Sequence, residues 1–413
     1  MNPTTIRRLL WSPTVAMSGS LVMVAVAGYA FLSLAGHLPD NRDKAAMASF
    51  YVVVNTVGQG IFIGLEQEVS RSVSHARATG ADVGPVVRRS FRQAGVLSAT
   101  CLLLIAAISP LLVAGPLHGA WPLIGAVFLG TCTATLSYIT RGLLGGTQQF
   151  GAYALTLLAE GGSRLVPCLA LAVLGAGSML TYSYVYAVGL LFAASVGFWK
   201  LRPFLREALG ESGTTAGDGA GGTGRDGAAV PAATSGAARW VSASLLFLVG
   251  AGLLSQLVSN LPALAASARL SHASATAAAF VQAVSLTRIP VLLTGPVTAL
   301  LLPRLTSAGA RGAIHQVRAT VLAGVAAMLG LGAATALGLA VLGPWVLSAF
   351  FNAHDISALS LAVMGVGTGG LMAVGVLQPA LVGLGRQRLV PIAWGAGAAA
   401  MTAAVVWPTG AVA

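Results

Sequence analysis

Charge is scarce in this sequence. Asp, Glu, Lys and Arg together make up 8% of its 413 residues, whereas a water-soluble domain carries roughly 25%. Acid is scarcer than base, with 11 Asp and Glu against 23 Lys and Arg. The three cysteines, Cys101, Cys132 and Cys168, all fall inside apolar runs, which excludes a disulfide-stapled secreted scaffold. P-loop, G-x-S-x-G and Cys/His metal spacings are missing, so the sequence predicts a non-enzyme with no catalytic residues, metal site or cofactor. What is there is apolar: 56% hydrophobic residues and a mean hydropathy of +0.83. A soluble nucleic-acid binder shares the +12 charge but not this hydrophobicity. The composition is that of a multi-pass membrane protein.

No Asp, Glu, Lys or Arg occurs in 9–39, 93–140, 165–199, 240–268, 319–354, 356–385 or 389–413. A membrane-crossing helix needs about 20 mostly apolar residues. The period-two alternation of a membrane barrel is absent, so the crossings are expected to be helices. We place spans near 13–36, 46–69, 92–114, 121–143, 152–175, 180–199, 240–265, 274–302, 318–342, 357–384 and 389–407. Arg7-Arg8 before the first span resembles a signal n-region, but the run that follows is too long for a cleaved signal. With the N-terminus placed in the cytoplasm, 18 of the Lys and Arg residues fall in cytoplasmic segments and 3 in outer loops. That bias obeys the positive-inside rule and predicts a bacterial cytoplasmic membrane protein that meets anionic lipid rather than nucleic acid.

Residues 208–239 are rich in Gly, Ala, Ser and Thr without apolar periodicity, the signature of a flexible linker. They divide the chain into an N-terminal lobe of six spans (1–207) and a C-terminal lobe of five (240–413). The halves repeat one another. Trp11-Ser12 and Trp240-Val241-Ser242 open them, Gly115-Pro116 and Gly343-Pro344 close their third spans, and Gly145-Gly146-Thr147-Gln148 corresponds to Gly383-Leu384-Gly385-Arg386. Parallel repeats are a recognised construction of transporters, with the site at their interface. The repeat leaves the second lobe one span short, so the sequence predicts a twelfth helix that is missing or lies beyond Trp407-Pro408.

Two six-helix lobes around a central cavity resemble the multidrug/oligosaccharidyl-lipid/polysaccharide exporter (MOP) superfamily. Within it, Gly64-Leu65-Glu66-Gln67-Glu68-Val69-Ser70-Arg71 resembles the end of the second span of polysaccharide flippases. Arg288-Ile289-Pro290 through Leu302-Pro303-Arg304-Leu305 resembles their eighth span, and Gly145-Gly146-Thr147-Gln148 their fourth-to-fifth turn. The resemblance implies alternating-access flipping of a polyprenyl-pyrophosphate-linked oligosaccharide by a monomer. It also implies membrane lipids and glycosyltransferases of the same pathway as partners. A cation-coupled multidrug antiporter of the same superfamily is the alternative. A membrane polysaccharide polymerase is disfavoured, because the longest outer loops, near 38–45 and 343–356, hold only Asp40, Asp43 and Asp355 as acids.

Ionisable residues at membrane depth mark function or pair with one another. Glu160 and Arg164 share one face of the fifth span, in the order that favours an i,i+4 pair. Either Arg164 faces the cavity while Glu160 holds it or carries a coupling proton, or the two form a structural ion pair. Arg288 sits mid-span with no acid on its own span, and under the resemblance its planar fork would bind the pyrophosphate. Its other expected partners are Glu160 or a carbonyl from another helix. Glu66, Glu68 and Arg71 near the end of the second span, and Arg141 at the end of the fourth, read as hydrated interfacial charges or as headgroup and coupling residues. Gln256 and Asn260, with Asn55, Gln59 and Gln282, are amides that either hydrogen-bond sugar hydroxyls or join helices. Gly365, Gly367, Gly369 and Gly370 are expected to pack helices closely.

Overall fold

A computed structural model describes residues 13–36, 38, 40–114, 117, 119–210, 242–269, 283–284, 287, 290–351 and 356–406. Arg288, Gln282 and the linker from 211 onward lie outside the described residues, as do Gly115-Pro116, Asp355 and the last seven positions. Among the described residues every regular element is helical. In chain order they are α1 (Pro13–Gly36), α2 (Asn41–Val57), α3 (Ile63–Thr79), α4 (Gly84–Ala114), α5 (Pro122–Gly146), α6 (Phe150–Val173) and α7 (Met179–Gly210). After the linker come α8 (Ala243–Arg269), α9 (Thr294–Ala310), α10 (Ile314–Phe351), α11 (Ala358–Gly383) and α12 (Leu389–Val406). A π-helical turn, Gly58–Phe62, joins α2 to α3, so the second expected span is one interrupted rod.

Six of these helices, α4 to α7, α10 and α11, are long and apolar enough to cross a membrane, and α1, α8 and α12 contain shorter apolar stretches. Leu103, Leu111, Val173 and Val341 are each more than 70% exposed, so the outer faces are greasy where a soluble bundle would be charged. The chain is an all-helical, multi-pass membrane protein.

Several helices overrun the expected spans because apolar windows register solvent, while helices continue through polar turns. The third expected span, 92–114, begins at Gly84, and the sixth, 180–199, runs on to Gly210. Gly343-Pro344 does not end a helix: α10 passes through Pro344 to Phe351, so the expected outer loop from 343 is helical for most of its length. Membrane helices tolerate an internal proline when neighbours compensate the freed carbonyl. Where helices do stop, the backbone shows why: Gly80 closes α3 in the left-handed region, and Ser357 caps α11 by accepting from the Ser360 amide at 3.1 Å.

The largest buried cluster gathers Phe62, Leu65, Val69, Leu143, Leu144 and Leu157 of the first half, and it takes in Leu245 and Leu300 from the second. α3 makes most of the contact between the halves, packing on α8 and α9 as well as on α5, with the π-helical turn and α1 adding to it. A Cβ on Gly64 would lie 3.0 Å from backbone atoms of Leu248 and Val249, so α3 and α8 touch main chain to main chain.

Of the four glycines expected to pack α11, two do so. Gly365 abuts the Ala336 backbone, and a Cβ at Gly369 would sit 3.0 Å from the Gly332 Cα on α10, whereas Gly367 and Gly370 face open space. Gly369→Leu is therefore expected to force α10 and α11 apart and to destabilise the protein by roughly 1–3 kcal/mol, the usual cost of overpacking. Gly367→Leu and Gly370→Leu should leave the thermal unfolding midpoint close to that of the unmodified protein.

Candidate functional site

Arg141, Glu160 and Arg164 form one buried cluster, at 5%, 5% and 4% exposure. Arg164 Nη1 donates to Glu160 Oε1 at 2.5 Å, across one turn of α6. Arg141 Nη2, from α5, takes the other carboxylate oxygen, Oε2. One carboxylate thus pairs with two guanidiniums on two helices. Arg164 also donates through Nε to the Tyr186 carbonyl of α7 at 3.1 Å, and its guanidinium carbon lies 3.9 Å from the centre of the Tyr186 ring. Gly189 makes room for this, since a Cβ there would overlap the Arg164 side-chain stem. Arg141 lies 5.5 Å from the Tyr138 ring centre.

This geometry changes the expectation for Arg141. It is not a hydrated charge at the end of its helix; the side chain turns inward to the carboxylate. For Glu160 and Arg164 the observed arrangement is the ion pair, reinforced by a third member that the i,i+4 pattern could not reveal. Arg288, expected to meet Glu160 or a carbonyl from another helix, lies outside the described residues.

Two further polar groups flank the cluster. Glu66 of α3 accepts a 2.6 Å hydrogen bond from the Tyr153 hydroxyl of α6. Asn55 Nδ2 of α2 donates to the Tyr51 carbonyl at 2.8 Å and meets the Tyr186 hydroxyl at 3.2 Å. Tyr186 is itself enclosed by Phe31 and Tyr51, with ring centres 4.6 and 5.5 Å away. The first half therefore holds two carboxylates and two guanidiniums beside a packed aromatic cluster.

The remaining candidates lie where the halves meet. Glu68, expected in a hydrated cluster, is 5% exposed. Arg71 grips it through Nε and Nη2 at 3.1 and 3.0 Å, and Ser244 of α8 donates to it at 2.5 Å. Gln387 Nε2 in turn donates to the Ser244 hydroxyl at 2.9 Å. Arg71 is thus committed to the seam between halves rather than to a central cavity. A second bridge runs from Trp394 Nε1 to Gln378 (3.0 Å) and from Gln378 Nε2 to Gln67 (3.2 Å). Gln256 of α8 sits beside the π-helical turn, its Cγ 3.4 Å from where a Gly60 Cβ would stand. The Asn260 side chain, like Arg288, lies outside the described residues.

Tyr153, Tyr186, Gln378 and Trp394 were not legible as site residues, because each is one neutral polar side chain in an apolar stretch, and Gln67 was overshadowed by the glutamates on either side of it. A tyrosine near a membrane-embedded acid is the signal that was available.

No family model matches this sequence, and no curated protein matches it. Solved structures do. An outward-facing multidrug resistance MATE family transporter of the MOP superfamily superposes with a TM-score of 0.71 at 17% identity, over 97% of this chain and 90% of that one. A mutant of the Vibrio cholerae MATE transporter VcmN gives 0.70 at 16% identity, over 95% and 87%. The MATE transporter ClbM in complex with Rb+ gives 0.68 at 14% identity, over 92% and 82%. The chain has the MATE transporter fold.

The doubly clamped carboxylate yields a stability test. Glu160→Gln leaves two guanidiniums buried without their counter-charge, a change expected to cost about 3–5 kcal/mol. The purified variant should unfold at a clearly lower temperature than wild type. Loss of less than about 1 kcal/mol would mean that water reaches the cluster and solvates the arginines.

Proposed function

We propose that this chain is an ion-coupled exporter of amphipathic small molecules, working by alternating exposure of a cavity between its two halves. The observation that carries this reading is the pair of interior carboxylates in unlike surroundings. Glu160 is held by two guanidiniums and serves as a fixed counter-charge. Glu66 meets Tyr153, is half-buried, and lies on α3, the helix that makes most of the contact between the halves. An acid on that helix can bind or release a coupling cation as the seam opens and closes, which links ion movement to cargo movement. The likeness to MATE transporters supports the same reading.

The MATE comparisons support this more directly than the flipping of a lipid-linked oligosaccharide, and so does the local chemistry. Flipping needs guanidiniums available to a pyrophosphate, and Arg141, Arg164 and Arg71 are all engaged with carboxylates. Arg288, a mid-span cation with no acid on its own span, is the observation that favours flipping as the second reading.

Reconstituted vesicles separate the two. Export of a cationic fluorescent dye driven by a proton or sodium gradient should be seen with wild type. It should fall at least tenfold in Glu66→Gln, at unchanged protein level and monodispersity. If the dye stays put and a fluorescent polyprenyl-pyrophosphate glycan crosses instead, the second reading holds. Arg288→Ala should then abolish crossing, and Arg288→Lys should retain part of it.

A further inference from the structure

A separate cleft of about 590 Å³ opens between the halves at the end of the bundle where α3, α5 and α9 finish. Its volume lies within the roughly 300–1,000 Å³ typical of small-ligand sites. Three arginines line it: Arg77 from the last turn of α3, and Arg304 and Arg311 from α9 and the turn after it. No Asp or Glu lines it. Among the described residues, none of the ion pairs involves these three arginines.

The cleft is built rather than incidental. Arg77 Nη1 donates to the Thr147 carbonyl at 2.9 Å, which orients its fork and leaves other N–H groups for a ligand. Arg304 lies 5.7 Å from the centre of the Phe150 ring, a contact that steadies it without consuming its charge. Between them the α5–α6 turn presents Gln148, a non-glycine residue at φ +59°, a conformation that costs energy and persists because its surroundings hold it. Buried Leu305, Ala308 and Val317 close the apolar back wall. The positive-inside bias accounts for arginines at this end of the bundle. It does not account for their convergence, from both halves, on one cleft without a carboxylate.

We propose that this cleft is a binding site for a phosphoryl anion, gripped from the first half by Arg77 and from the second by Arg304 and Arg311. Arginine forks match phosphate oxygens in bidentate geometry, and an anionic group answers the uncompensated positive charge. The phosphoryl group belongs either to a soluble phosphate or diphosphate or to an anionic lipid headgroup at the bilayer surface. Because its ligands come from both halves, the bound anion fastens this end of the seam shut. The inference stands apart from the choice of cargo, because it concerns binding and not transport.

The test is thermal unfolding of the intact protein. In a neutral detergent, millimolar inorganic pyrophosphate should raise the unfolding temperature relative to chloride at equal ionic strength, if a soluble anion is the ligand. In nanodiscs, phosphatidylglycerol should do so relative to phosphatidylcholine, if a lipid headgroup is. Arg304→Gln/Arg311→Gln should weaken the effective response at least tenfold. Arg89→Gln/Arg206→Gln, which removes the same charge from exposed positions outside the cleft, should retain it. Arg311→Gln alone, at an exposed turn, guards against a folding defect in the double variant. No response of the wild type to either anion overturns the proposal, as does an equal loss in the cleft and control variants.

Discussion

A carboxylate that cannot reach water must find its counter-charge inside the protein, and much of the first half is arranged around that demand. Glu160 lies in an apolar bundle where an isolated charge is prohibitively unfavourable. Two guanidiniums answer it, and each brings its own helix: Arg141 carries α5 and Arg164 belongs to α6, which Arg164 also ties to α7 through the Tyr186 carbonyl. Three helices thereby acquire a fixed rotation about their axes. In a membrane, where apolar faces slide past one another with little preference, that rotational fixing is what apolar packing supplies poorly.

The seam follows a different rule. Its bonds are neutral or shared: serine hydroxyls on Glu68, an amide on an amide, an indole on an amide. Each is modest, and each can be exchanged for a bond to water. Glu68 keeps Arg71 as a partner on its own helix, so separating α3 from α8 does not strand a charge. The first half is locked by ions, whereas the contact between halves is made of groups that can let go.

The sequence was most legible where solvent leaves its mark. Uncharged windows announced the helical membrane class, and the first span, 13–36, coincides with α1. The Glu160–Arg164 pair was visible because helical periodicity puts residues four apart on one face. Arg141 was misplaced because sequence position told its distance from a helix end, not the direction of a side chain long enough to turn inward. Pro344 misled for a related reason: proline reads as a break in water, but α10 runs straight through it. The seam was illegible, because Gln67, Gln378 and Trp394 are far apart along the chain and individually unremarked.

The π-helical turn at Gly58–Phe62 sets the rotational register of α3 relative to α2. A π turn holds more residues per revolution than an α turn, so rewinding these five to α geometry would twist everything beyond them by roughly a quarter revolution. Glu66, Gln67 and Glu68 follow immediately and would travel together. Glu66 would swing from Tyr153, Gln67 from Gln378 and Glu68 from Ser244 in a single torsional stroke. The interior acid and both bridges of the seam thus depend on the register that one short stretch of backbone sets.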